Sequence, residues 1–421
     1  MRNLRRIVAG ASALALAGTL GACAAGDGVP TLTWYINPDD GGQAEIAASC
    51  TEAANGAYRI ETSLLPRDAA SQREQLARRL AASDRSLDIM SLDPPFIPEL
   101  AEPGFLAPVP ADLQNTEGVV QGAVQSASWN GELVTVPFWA NTQLLWYRKS
   151  VAEAAGLDMS QPVTWDQIIQ AAQDQNKQLG VQGALAESLT VWINALVASA
   201  GGQILDNPDA KPDEMQLGLE TDAGRKAADI IGRIGSSGLG GSGLPTADEN
   251  ASMNLFQGDN GSFMVNWPFV YPAMQAAAPD VVDDLGWAVY PRVDADTPAA
   301  PPVGGINLGV GAYSENVDLA WQAVSCIVSP ENQAQYFVTN GNPPSNLAAY
   351  DDAEVNEKFP MASTIAESLQ LGAPRPQTPY YNEISIGLQR TWHPPNAVNP
   401  DATPQSSTDF ILAVLRGERL L

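Results

Sequence analysis

The chain has one histidine, His393, and three cysteines in 421 residues, too few to assemble a His/Cys zinc cluster. Positive charge is scarce as well: 22 Lys+Arg stand against 48 Asp+Glu, a formal net charge of −26. Such an acidic surface repels phosphate backbones and anionic headgroups, which argues against nucleic acid as a partner. There is no G-x-x-x-x-G-K-[ST] phosphate loop and no G-x-S-x-G nucleophile elbow, so two common catalytic frameworks are missing. Neither metal nor cofactor is expected. What is present favours a packed protein: 45% apolar residues, with ten Trp, ten Tyr and nine Phe. The length exceeds what one core usually holds, so two domains are expected.

Arg2, Arg5 and Arg6 precede an apolar run from Ile7 to Ala22. As a helix it would reach about 24 Å, short of the roughly 30 Å hydrocarbon core, and it reads as a secretory signal peptide over residues 1–22. The run ends Leu20-Gly21-Ala22-Cys23, which resembles the lipobox of bacterial lipoproteins. That resemblance implies lipid on Cys23, a tether over residues 23–30, and a mature body held at the outer face of the cell membrane. Without residues 1–22 the chain keeps 19 bases against 48 acids. Cys50 and Cys326 are then the leftover pair in an oxidising space. A disulfide between them is expected, with two buried free thiols as the alternative.

The mature chain alternates strands with helices. Strands are expected at Leu32–Ile36, Tyr58–Leu64, Leu87–Leu92, Glu132–Phe138, Leu144–Tyr147, Gly261–Asn266 and Gly305–Val310. Helices are expected at Gln43–Ala54, Asp68–Ala82, Ser150–Gly156, Thr164–Gln178, Thr190–Gly201, Asp222–Ile234 and Glu249–Gln257, and through most of the chain after Ser314. The glycine-serine run at 235–243 follows a helix and has no Lys, so it reads as a surface loop. This alternation indicates βαβ units and an α/β fold with mainly parallel sheets.

In open α/β sheets, ligands bind beyond the carboxyl ends of strands. Asp93, Asn141 and the pair Asn266/Trp267 stand at such places. Asp93 and Asn141 equally suit turns and helix caps, and a tryptophan is more often core than ligand platform. Phe96, Trp139, Trp192 and Trp392 carry weaker versions of the same signal. A sugar would unite them: its C–H faces stack on aromatic rings, and its hydroxyls pair with Asp, Glu, Asn and Arg. Paired carboxylates also suit a membrane-anchored glycosidase, but 48 acids make chance pairs certain. His393 has no nucleophile motif beside it and reads as a loop residue.

Five segments sharpen the reading. They are Leu65-Pro66-Arg67 with Gln75–Leu80, Leu87–Met90 with Asp93, Asn141–Arg148, Val265–Val270 and Gly304–Leu308. With the order of parts over nearly the whole mature chain, they resemble the sugar-binding proteins of ABC importers, in the cluster containing maltose-binding protein. Within that cluster they are most similar to trehalose-binding lipoproteins of the mycobacterial-type importer. The Cys50 and Cys326 positions also resemble that family's.

The resemblance implies a two-lobed, type II periplasmic-binding-protein-like fold that closes by hinge motion. One lobe would take residues 31–140 and 290–343, the other 141–289 and 344–421. It implies no enzyme activity, a monomer, a trehalose-like disaccharide as ligand, and ABC permease subunits with a cytoplasmic ATPase as partners. Another α-glucoside or a maltodextrin is the alternative ligand. Asp93, Asn141, Glu249 and Trp267 match residues that line the family's sugar site, with Asp40, Phe269 and Gly305 beside them. The family's Ser-Ile-Arg-Leu run reads Ser385-Ile386-Gly387-Leu388 here. Arg390, three residues on, is the expected substitute for the missing arginine, with a solvent-facing arginine as the alternative.

Overall fold

In the computed structural model, residues 28–421 are described; the expected signal peptide and Cys23 lie outside the described residues. Among the described residues, twelve strands occur in chain order. The first six are β1 (Thr31–Ile36), β2 (Arg59–Leu64), β3 (Ile89–Leu92), β4 (Ser128–Trp129), β5 (Glu132–Leu133) and β6 (Val136–Thr142). Then come β7 (Leu144–Arg148), β8 (Gln178–Gly180), β9 (Gly261–Asn266), β10 (Leu285–Ala288), β11 (Pro302–Val310) and β12 (Ala373–Pro374). One sheet runs β12-β11-β3-β1-β2, with β6 also pairing β11; a second runs β10-β7-β9-β8. The hairpin β4–β5 stands apart.

Both sheets are mixed rather than mainly parallel, which corrects the expected strand arrangement. β1 pairs in parallel with β2 and β3, but β11 runs antiparallel to both β3 and β6. In the second sheet β7 is antiparallel to β9 and β10, and only β8 is parallel to its neighbour. The cause is the crossings. Only Gln143 separates β6 of the first sheet from β7 of the second, too short for a helical return. β11 then comes back from the second sheet into the first. β12 joins the first sheet although residues 344–421 were expected in the second lobe.

Each sheet is covered by helices, and the architecture is an α/β fold of two lobes. In the first lobe, β1 alternates Leu32, Trp34 and Ile36 into the core, with Trp34 fully buried. Helix α1 (Gly42–Ala53) lays Ile46, Ala47 and Cys50 on that core, and α2 (Ala69–Ala81) lays Leu76 and Leu80 on its neighbour. In the second lobe α3 (Glu187–Ser199) is buried nearly all round, as a helix without a polar face must be. Helix α4 (Glu249–Gln257) packs on β8 and β9.

Helices α5 (Val317–Ile327) and α6 (Pro330–Asn340) return to the first lobe beside α1. There Cys50 on α1 and Cys326 on α5 form the expected disulfide. Helices α7 (Tyr381–Trp392) and α8 (Thr403–Leu415) pack on the second lobe, α7 against α3. Among the described residues no helix is long and apolar enough to cross a membrane.

Candidate functional site

A cleft of ≈ 520 Å³ opens where the loops of the two sheets meet, within the size range of small-ligand sites. Of the residues singled out in the sequence, Asp93, Asn141, Glu249, Trp267, Phe269 and Gly305 line it. Asp40 does not. It is exposed in an adjoining polar recess of ≈ 210 Å³ that shares Pro38, Arg67 and Asn342 with the cleft.

Each side chain is placed by local geometry. Asp93 follows β3 at the turn into Pro94. Asn141 lies inside β6, because that strand runs on to Thr142 instead of stopping near Phe138. Its Oδ1 accepts the Thr142 backbone N–H at 3.0 Å, which leaves its amide nitrogen to the cleft. Trp267 ends β9, and its ring lies over β11: a Cβ on Gly304 would sit 3.2 Å from Trp267 Cη2. Gly305 has φ +120, and a Cβ there would meet the Trp139 carbonyl at 2.2 Å. Only glycine lets β11 pass β6 at that point.

Glu249 begins α4, directly after the cap residue Asp248, whose Oδ1 accepts the Ala251 N–H at 2.8 Å. Glu249 and Trp267 are held by one buried residue. Asn266 donates through Nδ2 to the Glu249 carbonyl at 2.9 Å, and its Oδ1 accepts the Trp267 N–H at 2.9 Å. Burial pushes the Glu249 carboxyl above the usual range, and its own backbone N–H opposes the shift only in part.

The charged centre of the cleft was not foreseen. Arg375, 6% exposed, donates through Nη2 to Asp93 Oδ1 and through Nη1 to Glu187 Oε1, both at 2.7 Å. Tyr381 also donates to Glu187 Oε1, and Ser385 to Glu187 Oε2 at 2.6 Å. Burial works against the Arg375 charge, but Asp93, Tyr381 and Glu187 outweigh it and hold the guanidinium charged. Tyr381 is pushed well above its ordinary value by burial and by the Glu187 charge.

Two further buried atoms belong to the lining. Trp139 Nε1 has no acceptor and Asn37 Oδ1 no donor among the described residues.

Arg390 is corrected. It is exposed on α7 and does not line the cleft. Gly387 faces away too: a Cβ there would meet Ile411 Cγ1 of α8 at 2.4 Å. No cleft contact is lost at position 387; with Arg67 at the rim, the buried arginine of the site is Arg375. Its one sequence signal is its place between Pro374 and Pro376, where the backbone is stiff and helix is barred. Trp192 and Trp392 are fully buried core residues, and Phe96 packs edge-on against Tyr381. No cluster of His, Cys, Asp and Glu suited to a metal occurs among the described residues.

The sequence profile of the bacterial extracellular solute-binding proteins matches residues 44–334. A probable ABC transporter-binding protein of Deinococcus radiodurans is 25% identical over 84% of this chain and 84% of its own. The sn-glycerol-3-phosphate-binding periplasmic protein UgpB of Escherichia coli (strain K12) is 24% identical over 70% of this chain and 69% of its own. Maltose-bound T. maritima MalE3 superposes with a TM-score of 0.76 at 23% identity, over 92% of this chain and all of that one.

Proposed function

The chain belongs to the bacterial extracellular solute-binding proteins, and from that premise we propose that it is the sugar-binding component of an ABC importer. The family is one of binding proteins, not enzymes, so the ligand leaves as it arrived. The observation that carries the sugar reading is the lining of the cleft. Trp267 and Phe269 supply aromatic faces, while Asp93, Asn141 and Glu249 supply donors and acceptors among them. Apolar C–H faces and a rim of hydroxyls ask for that mixture.

The ligand we propose is trehalose or a closely related disaccharide, on the strength of the resemblance at Asp93, Asn141, Glu249 and Trp267. Maltose, which T. maritima MalE3 holds, or another α-glucoside is the second reading. Closure of the lobes would present the sugar to permease subunits served by a separate ATPase, with the body tethered by lipid on Cys23. A thermal-shift screen tests this. A ligand at a hundred times its Kd stabilises the folded state by about 2.7 kcal/mol, so the cognate disaccharide should raise Tm. Amino acids or peptides raising Tm while every sugar leaves it unmoved would refute the substrate class.

A further inference from the structure

Five carboxylates and two guanidiniums line the cleft: Asp68, Asp93, Glu187, Asp248 and Glu249 against Arg67 and Arg375. Charges in a cleft act at short range and in reduced dielectric, so what matters is which of them are uncommitted. Arg375 is fully committed, with both its ion pairs going to Asp93 and Glu187.

Helix N-termini are the other usual source of positive potential for an anion. Four helices begin at this cleft; three carry their own carboxylate there, and the fourth, Val270–Ala277 behind Phe269, has none in its first turn. Asp68 caps α2, accepting the Ser71 N–H at 2.8 Å. Asp248 caps α4, with Glu249 as its first residue. Glu187 stands in the first turn of α3. That leaves Arg67, exposed at the rim beside Asp68, and the helix end at Phe269, whose roughly half a positive charge is small beside five carboxylates.

We propose that this cleft is a charge filter, which takes neutral saccharides, holds aminated ones more tightly, and refuses phosphorylated or otherwise anionic ones. An entering phosphate meets Asp248 and Glu249, neither of which has a cation partner among the described residues. An ammonium group on the sugar supplies the missing partner. Burial of Glu249 sharpens the choice, because a desolvated carboxylate gains most from an opposite charge. The filter separates this chain from the E. coli relative named for sn-glycerol 3-phosphate, with which it shares 24% identity.

The inference rests on the sugar reading, and calorimetry can part the two. The probes are trehalose, maltose, trehalose 6-phosphate, 6-amino-6-deoxytrehalose and sn-glycerol 3-phosphate. Like-charge contact should weaken the phosphorylated disaccharide at least about a hundredfold relative to its parent sugar. A charge-assisted hydrogen bond should strengthen the amine about tenfold. Glu249→Gln should abolish the advantage of the amine. Asp248→Asn, which keeps a capping side chain, should narrow the gap between phosphorylated and neutral sugar. Neutral and phosphorylated sugars bound alike would overturn the filter and leave the sugar reading standing. Binding of sn-glycerol 3-phosphate without any neutral sugar would overturn both.

Discussion

Arg375 Nη2 lies 2.7 Å from Asp93 Oδ1, a contact between two loops of the first sheet, since Arg375 directly follows β12. Asp93 follows β3 of the first sheet, and the other arm of the guanidinium holds Glu187 on α3 of the second lobe. Removing the cation would leave two carboxylates facing each other with little water to screen them. Arg375→Met should therefore destabilise the ligand-free protein by about 3–5 kcal/mol. Adding Asp93→Asn and Glu187→Gln should recover a large part of the loss. Urea unfolding of the three proteins measures both steps, and a single variant as stable as the parent would show the bridge to be idle.

Gly304 sets how closely the indole of Trp267 approaches β11. A Cβ would sit 3.2 Å from Cη2 and 3.4 Å from Cζ3, so Gly304→Ala must displace the ring or the strand by a few tenths of an ångström. The variant should keep its fold, because Gly304 does not have a positive φ. Its affinity for the cognate sugar should fall about tenfold as the stacking face moves, and Trp267→Ala should remove the sugar-induced rise in Tm altogether. Calorimetry on the Gly304→Ala protein giving the parental affinity would show that the ring is placed by something else.

Much of this site was legible because it sits where strands end. Asp93 and Trp267 carry that signal, while Asn141 lies inside β6 and was picked out on a strand end that the structure does not have; the cleft is built where α/β topology puts one. Glu249 carries none, since its environment is made by Asn266, seventeen residues away; only the family resemblance marked it. Arg375 was missed because its partners Glu187 and Asp93 are 188 and 282 residues distant. Arg390 misled because helical spacing says which residues share a face but not what that face meets, and near Gly387 it meets Ile411. The mixed sheets escaped for a similar reason. Strand direction depends on the lobe crossings, and β8, β10 and β12 are too short to show a period of two.

The Cys50–Cys326 bridge closes a span of 276 residues, with Cys50 wholly buried on α1. By chain entropy such a crosslink contributes about 5 kcal/mol, acting mainly on the unfolded state. The double variant Cys50→Ala/Cys326→Ala should unfold at lower urea with sugar affinity little changed, since neither cysteine lines the cleft. A parental urea midpoint in that variant would contradict this.

The proposed membrane attachment rests on Cys23, given Leu20-Gly21-Ala22-Cys23 behind the basic, apolar start. Cys23→Ala should shift the protein from the membrane fraction into the medium, or block its processing. A variant that still fractionates with membrane like the parent would remove the lipobox from consideration.

The Glu249 carboxyl is the last test, because its titration separates binding from folding. Burial raises its pKa in the folded protein above the ordinary value it has in the unfolded chain. Between those two values the folded state binds the proton more tightly, so stability falls as pH climbs through that window. Above it, the ionised and half-buried side chain is a standing cost that the amide of Glu249→Gln does not incur. The ligand-free variant should melt higher than the parent at neutral pH, and the difference should vanish once the pH drops below the ordinary carboxylate value. Binding should move the opposite way, with affinity for a neutral sugar falling about tenfold or more as a hydrogen bond to a charged acceptor is lost. A variant that melts lower than the parent at neutral pH would mean that Glu249 stabilises the empty fold, and its place as a group held ready for ligand would be lost.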